Sequence, residues 1–266
     1  MKIGFIGAGQ MARAFAAGIV ESGVSTPADI TISDPNPESV AAFQAAVGSV
    51  AVSDCNSDCA VGQEFLVLAV KPQMFDGAAA SIVLKDSDTT VISVMGGVTI
   101  DTITNALSTS RVIRVMPNTP CLVGAGACGL AASPDVPEAQ VESVTGLLRS
   151  IGVCVEVPEP MLDAVTGLSG SGPAYVFQFI QAMADGGVLT GLARPVALQL
   201  AAQTVFGAAK MVLESGDHPI VLSDRVASPG GTTIHGLQAL AEGGMSAAVI
   251  DAVEAATFRS QELGGQ

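Results

Sequence analysis

The sequence predicts an α/β domain built on a doubly wound, mainly parallel sheet, followed by an all-α domain. Three observations carry this. Short Val- and Ile-rich runs alternate with helical patterns from Lys2 to Val115, and such alternation makes a parallel sheet covered on both faces. A glycine-rich turn, Gly7-Ala8-Gly9-Gln10-Met11-Ala12, follows the first run and opens a helix. Beyond Pro158 the strand runs stop, and patterns rich in Ala, Leu, Met, Gln and Glu continue to Leu263. The boundary is therefore read near residue 157. It divides the chain into a dinucleotide-binding domain over 1–157 and a helical domain over 158–266.

The expected strands are Lys2–Ile6, Asp29–Ser33, Ser49–Val52, Phe65–Val70, Thr90–Val94 and Arg111–Val115. Each is β-branched and ends in turn residues. The expected helices between them are Gln10–Ser22, Pro37–Ala46, Pro72–Leu84 and Thr99–Leu107. Asn36 before Pro37 and Glu38 reads as a cap followed by a first-turn proline. Glycines at 186–187, 191, 216 and 230–231 punctuate the helical domain.

A chain of 266 residues buries a sizeable core without staples. Charged residues are only 14% of it, against about 25% in an average soluble domain. The surplus apolar surface points to a subunit interface. The longest uncharged stretches, Val115–Pro134 and Ala164–Ala184, are broken by prolines and glycines, so neither reads as a membrane span. The chain opens on a strand pattern, without a basic leader, and a cytoplasmic protein is expected. A net charge of −14 argues against nucleic acid as a partner. The five cysteines lack disulfide or metal-ligand spacing and are expected to be free thiols, with no metal site.

The turn at Gly7–Ala12 has the physics of a Rossmann-like phosphate site. Gly7 permits the tight turn, Gly9 lets a pyrophosphate approach the backbone, and Ala12 lets helix and strand pack closely. Helix-start N–H groups then face the anion. Asp34 ends the second strand, where a carboxylate accepts ribose hydroxyls of NAD and repels the extra phosphate of NADP. The competing reading of Asp34 is an Asx-turn before Pro35. Ser33 and Asn56 suit either cofactor.

The segment Ala69-Val70-Lys71-Pro72-Gln73 ends the fourth strand, where ribose and nicotinamide are expected. Lys71 is either an electrostatic aid to the cofactor or a solvated helix-start lysine. The run Arg114–Pro120 continues into Val123–Ala127, either a loop against a flat nicotinamide or a structural bend. Ser169 fails the spacing of a nucleophile elbow and reads better as part of a helix cap. Ser228-Pro229-Gly230-Gly231-Thr232-Thr233 presents successive backbone N–H groups before a helix. This is either a nest for a carboxylate or an ordinary cap.

Taken together, the glycine turn, Ala-Val-Lys-Pro-Gln, Arg-Val-Met-Pro-Asn-Thr-Pro and Ser-Pro-Gly-Gly-Thr-Thr resemble the Δ1-pyrroline-5-carboxylate reductase family over Lys2 to Leu263. That resemblance implies a Rossmann domain, a helical domain that interlocks into a homodimer, and larger rings such as a decamer. It also implies hydride transfer from NADPH or NADH to the C=N carbon of pyrroline-5-carboxylate, giving L-proline. By the same resemblance the cofactor contacts fall on Gly7, Gly9, Gln10, Met11, Asn56, Ala69, Lys71 and Pro72, to which Asp34 and Val70 are added from position. The substrate carboxylate contacts fall on Ser228, Gly230, Gly231, Thr232 and Thr233. The chain departs from the family pattern at Ser223-Asp224-Arg225-Val226. Thr233 is expected to orient the ring nitrogen, since reducing a protonated imine needs alignment more than acid–base groups. Two other readings compete. A 3-hydroxy acid dehydrogenase would need a catalytic lysine, for which only Lys210 is available after Lys85. A dinucleotide sensor would have no use for the second nest.

Overall fold

The structure is a computed structural model that describes residues 1–86 and 88–265. By packing, the chain forms two compact units, one of 1–171 with 254–266 and the other of 172–253.

In the first unit β1 (Ile3–Ile6), β2 (Ile30–Ser33), β3 (Ala51–Val52), β4 (Phe65–Leu68), β5 (Thr90–Ser93) and β6 (Val112–Met116) alternate with α1 (Gln10–Glu21), α2 (Pro37–Val47), α3 (Asn56–Ala60), α4 (Phe75–Ala79) and α5 (Ile100–Leu107). Then come β7 (Gly126–Ala132), α6 (Glu138–Ser150), β8 (Gly152–Glu156) and the short α7 (Leu162–Val165). The sheet order is β3-β2-β1-β4-β5-β6-β7-β8. The first six strands are parallel, β6 and β7 are antiparallel, and β8 runs parallel to β7.

Strand alternation loads both faces of this sheet. From β1, Ile3 and Phe5 enter one core with Phe15, Ile19, Ile32 and Phe43. Ile6 enters the opposite core with Leu66, Leu68, Val91 and Ile103. Phe5 packs edge-on to Phe15 and Phe43, with ring centroids 6.3 and 5.5 Å away. The Asn36 side chain accepts the Glu38 N–H and so caps α2, as the sequence predicts.

The structure corrects several expected elements. The expected helix Pro72–Leu84 is a 3-10 turn, Pro72–Met74, followed by α4, which stops at Ala79. There the Ser81 hydroxyl donates to the Ala78 carbonyl, 2.8 Å away, and Ile82 turns into the core. Such local side-chain bonds compete with helix propagation. β7, α6 and β8 lie where the sequence shows no clear run. β7 reads Gly-Ala-Cys-Gly-Leu-Ala-Ala, which resembles a loop because its side chains must be small. A Cβ on Gly129 would lie 2.9 Å from Val165, and one on Gly126 would strike Cys121 Sγ. Gly126 and Ala127 therefore belong to a strand and not to a nicotinamide-side loop.

Segments on both sides of residue 157 pack within this unit. The Ser260 hydroxyl donates to the buried Asp163 carboxylate at 2.5 Å, and Leu263–Gly264 lie against Gly97. Arg114 is buried and pairs with Glu159 at 2.6 Å. The same Glu159 oxygen accepts the Ile100 N–H at 2.7 Å, at the start of α5. Removing one partner of a buried pair leaves an uncompensated charge and costs about 3–5 kcal/mol. Glu159→Ala should therefore lower the thermal midpoint by at least ~6 °C, at roughly 2–4 °C per kcal/mol for a chain of this size. A midpoint within a degree of wild type would refute this role.

The second unit contains α8 (Gly172–Leu189), α9 (Arg194–Ser215), α10 (Pro219–Val226), α11 (Thr232–Glu242) and the first part of α12 (Met245–Leu263). Its buried core is only Ala184, Ala197 and Ala201, flanked by Ile180, Met183 and Val188. Phe177, Leu189, Phe206, Leu213 and Ile220 are exposed. A helical unit this bare of core buries too little apolar surface to offset the cost of ordering its chain.

Candidate dinucleotide and carboxylate sites

In an open parallel sheet, ligands bind beyond the strand carboxyl ends where the strand order reverses. Here that point is β1, with β2 on one side and β4 on the other. The chain leaves β1 through Gly7, whose φ is +99°. A Cβ there would lie 2.8 Å from the Ala69 carbonyl oxygen, so only glycine fits. The Gly7 N–H donates to the Ser33 carbonyl at 2.8 Å.

Gly9 is the N-cap of α1, in ordinary extended backbone, and no side chain caps the helix. The nearest atom to a Cβ on Gly9 would be the Ala69 oxygen, 3.9 Å away. α1 thus starts with no capping side chain, no acid in its first turn and open space in front. Gln10 is exposed and Met11 half-buried on that turn. A pyrophosphate fits such a cradle.

Asp34 leaves β2 beside this turn. Its Oδ2 accepts the Ala8 N–H at 2.7 Å, and its Oδ1 accepts the Asn36 N–H at 2.8 Å. The Asx-turn expected as a competing reading is present. It does not use up the carboxylate, because each oxygen has a second lone pair. The Ser33 hydroxyl donates to Asn56 Oδ1 at 2.7 Å, and Asn56 Nδ2 donates to the Ser81 hydroxyl at 2.9 Å. These residues wall a cleft of about 660 Å³, together with Val40, Ser53 and Asp54. Sequence reading missed Asp54 and Ser81. Ser81 reaches the cleft only because α4 ends early, which no local signal announces.

Across the turn, β4 leads into half-buried Ala69 and Val70, then exposed Lys71 and Pro72. Lys71 opens the 3-10 turn and accepts the Met74 N–H on its carbonyl at 2.8 Å. The run after β6 is braced internally. Asn118 Nδ2 donates to the Ser169 carbonyl at 3.0 Å, and its Oδ1 accepts the Ala127 N–H at 3.0 Å. Cys121 and Cys128 lie beneath it with sulfurs 3.7 Å apart, and all five cysteines are free. A hydrogen bond from Cys128 holds the Cys121 thiol below its usual range, while that pairing and burial push Cys128 up. Ser169 lies inside a π-helical turn, Thr166–Gly170, and its hydroxyl donates to the Val165 carbonyl at 3.0 Å. It is therefore not a helix cap, since backbone already continues as helix on both sides.

In the second unit, Ser228–Gly231 forms the turn before α11. Gly230 has φ +66°, and the Gly231 N–H donates to the Ser228 carbonyl at 3.0 Å. Gly231 is the N-cap, with no side-chain capping bond and no acid in the first turn. A Cβ on Gly231 would strike Ser228 Oγ. The ordinary-cap reading therefore loses ground. Ser228 lies against this turn and Thr232 and Thr233 are the first residues of α11, while the N-cap position is a glycine with no side chain to close the helix start. Thr233 is half-buried at the second helical position. Among the described residues, no cluster of His, Cys, Asp and Glu has the makings of a metal site.

A doubly wound sheet with an uncapped glycine turn at its switch point defines a dinucleotide-binding protein of the Rossmann class. Residues 2–97 match a family described as NADP oxidoreductase, coenzyme F420-dependent, and residues 159–263 match pyrroline-5-carboxylate reductase dimerisation. The chain belongs to the pyrroline-5-carboxylate reductase family. It is 45% identical to the pyrroline-5-carboxylate reductase of Methanosarcina acetivorans, over 99% of this chain and 98% of that one. It is 41% identical to the Escherichia coli enzyme over 98% of each chain. The crystal structure of the Plasmodium falciparum pyrroline carboxylate reductase with NADP bound superposes with a TM-score of 0.88 and 32% identity, covering 99% of this chain and 98% of that one.

The chain is thus an NAD(P)H-dependent oxidoreductase whose C-terminal region makes a homo-oligomer. Among the described residues, one helix, Arg194–Ser215, is long and apolar enough to cross a membrane by length and composition alone. It lies within the dimerisation match, which accounts for its bare apolar side chains.

Proposed function

We propose that this chain reduces Δ1-pyrroline-5-carboxylate to L-proline with NADPH or NADH, and that Ser228, Gly230, Gly231, Thr232 and Thr233 hold the substrate. The observation that carries the residue assignment is the uncapped start of α11. Its backbone donors and the helix dipole favour a small carboxylate, and pyrroline-5-carboxylate carries one.

The glycine turn holds the dinucleotide through Gly7, Gly9, Gln10 and Met11, with Asp34 and Asn56 on the adenosine side and Ala69, Val70, Lys71 and Pro72 toward the nicotinamide. When bound, the reduced nicotinamide supplies a hydride. The acceptor is the carbon of a protonated C=N bond, so hydride addition yields the neutral secondary amine directly. Thr233 orients the ring nitrogen by hydrogen bonding and excludes misaligned poses. No acid–base pair is required.

Lys210 suits a hydroxy acid dehydrogenase poorly. It is exposed on α9 and pairs with Glu214 at 3.5 Å, the ordinary arrangement of a solvated helix lysine. The exposed Phe177, Phe206 and Leu213 support a homodimer through the C-terminal helices, with a decamer as a larger assembly of such dimers. The division into 1–157 and 158–266 remains our functional division of the chain. A cytoplasmic enzyme, without membrane or nucleic-acid partners, completes this reading. Spectrophotometric oxidation of NADPH or NADH by pyrroline-5-carboxylate tests it. Turnover with at least one cofactor is expected, and none with either would defeat it.

A further inference from the structure

We propose that this chain selects NADH over NADPH, and that Asp34 and the β2–α2 turn impose the choice. The inference rests on the dinucleotide reading above and adds to it a preference between the two cofactors. NADPH differs from NADH by one phosphate on the adenosine ribose. A protein that accepts it supplies a cation or free N–H donors where the second strand ends.

This turn supplies neither. Of its backbone amides, Pro35 and Pro37 have no N–H. The Asn36 N–H is bound to Asp34 Oδ1 at 2.8 Å, and the Glu38 N–H to Asn36 Oδ1 at 2.9 Å. The start of α2 would otherwise be an anion site, but its own N-cap closes it and Glu38 adds an acid to its first turn. The adjoining cleft is walled by two carboxylates, Asp34 and Asp54, and none of the eleven Lys and Arg residues or the two His lines it. A phosphate placed against this turn meets negative charge and amide donors that are already bound.

The same geometry suits an unphosphorylated ribose. Bonds from Ala8 and Asn36 fix the Asp34 carboxylate, and each oxygen keeps an acceptor site for a ribose hydroxyl. Those bonds also hold the carboxylate against the turn, so it does not swing away to admit a phosphate. Asn56, tied to Ser33 and Ser81, adds neutral polarity but no charge.

Direct binding separates the possibilities. The full-length protein is titrated with NADH and with NADPH, following nicotinamide fluorescence and calorimetric heat, without substrate. NADH is expected to bind about tenfold more tightly or better, as like-charge juxtaposition implies. The ratio should shrink as salt rises from about 0.02 to 0.5 M, because screening weakens the repulsion. Asp34→Ser keeps a turn-forming hydroxyl and removes the charge. It should bring the two affinities together by weakening NADH and strengthening NADPH. Equal or tighter binding of NADPH by the wild type overturns the inference alone, with the dinucleotide reading intact. An unchanged ratio in Asp34→Ser overturns the role of Asp34. Binding of neither cofactor removes both the inference and the reading beneath it.

Discussion

Gly9→Asp should fold as stably as the wild type and fail to bind dinucleotide. Gly9 has φ −67° and ψ −177°, a conformation open to any residue. Its Cβ would meet nothing closer than 3.9 Å, so no packing is lost. Asp is among the best N-cap residues and Gly only a fair one, so α1 should gain a few tenths of a kcal/mol. The gain and the loss have one cause. The new carboxylate accepts the first-turn N–H groups that a pyrophosphate needs and adds like charge beside it. Affinity for either cofactor should fall by about 100-fold or more, the range expected when a buried charge contact turns repulsive. Equilibrium titration and thermal denaturation of the same sample check both halves. Retained binding would remove the pyrophosphate from this turn.

Thr233→Ala should lower turnover by about 100-fold, the lower range for a single positioned hydrogen-bonding group in a transition state. Cofactor affinity should stay within about twofold, since this residue belongs to the start of α11 and not to the glycine turn. The helix itself should tolerate the change, because Thr233 is not its N-cap and makes no capping bond. Thr233→Ser restores the hydroxyl and should recover most of the rate. A purely structural threonine would give the opposite split, with Ser rescuing stability and turnover moving little in either variant.

The expected strands from β1 to β6 fall in the observed positions within a residue or two at each end, because each is a β-branched run. Hydrophobic periodicity places α2 and α5 in the same way, with the Asn36 cap for α2, while Thr99, expected as the first helical residue, is the N-cap of α5. β7 escaped because its glycines are selected by Val165 and Cys121, neither of which is adjacent to Gly129 or Gly126. Ser81 escaped for a similar reason, as it meets Asn56 across 25 residues. Arg114 stood in a run read as either a nicotinamide-side loop or a structural bend, and its partner Glu159 lies 45 residues on.

By itself the sequence determined the doubly wound sheet, the glycine turn, the all-helical second half and the order of motifs that marks the family. Each depends on neighbours within a few residues, and local pattern carries that information. Tertiary structure alone decided what Asp34 does. The sequence left it as either a ribose acceptor or an Asx-turn, and the structure shows the turn with room for the other role. It also decided that Gly231, which has no side chain, takes the N-cap of α11, although Ser228, Thr232 and Thr233 flank it in sequence. The physical reason is common to both. A hydrogen-bonding group in a sequence has several partners within reach, and only the folded backbone fixes which lone pairs and N–H groups remain for a ligand.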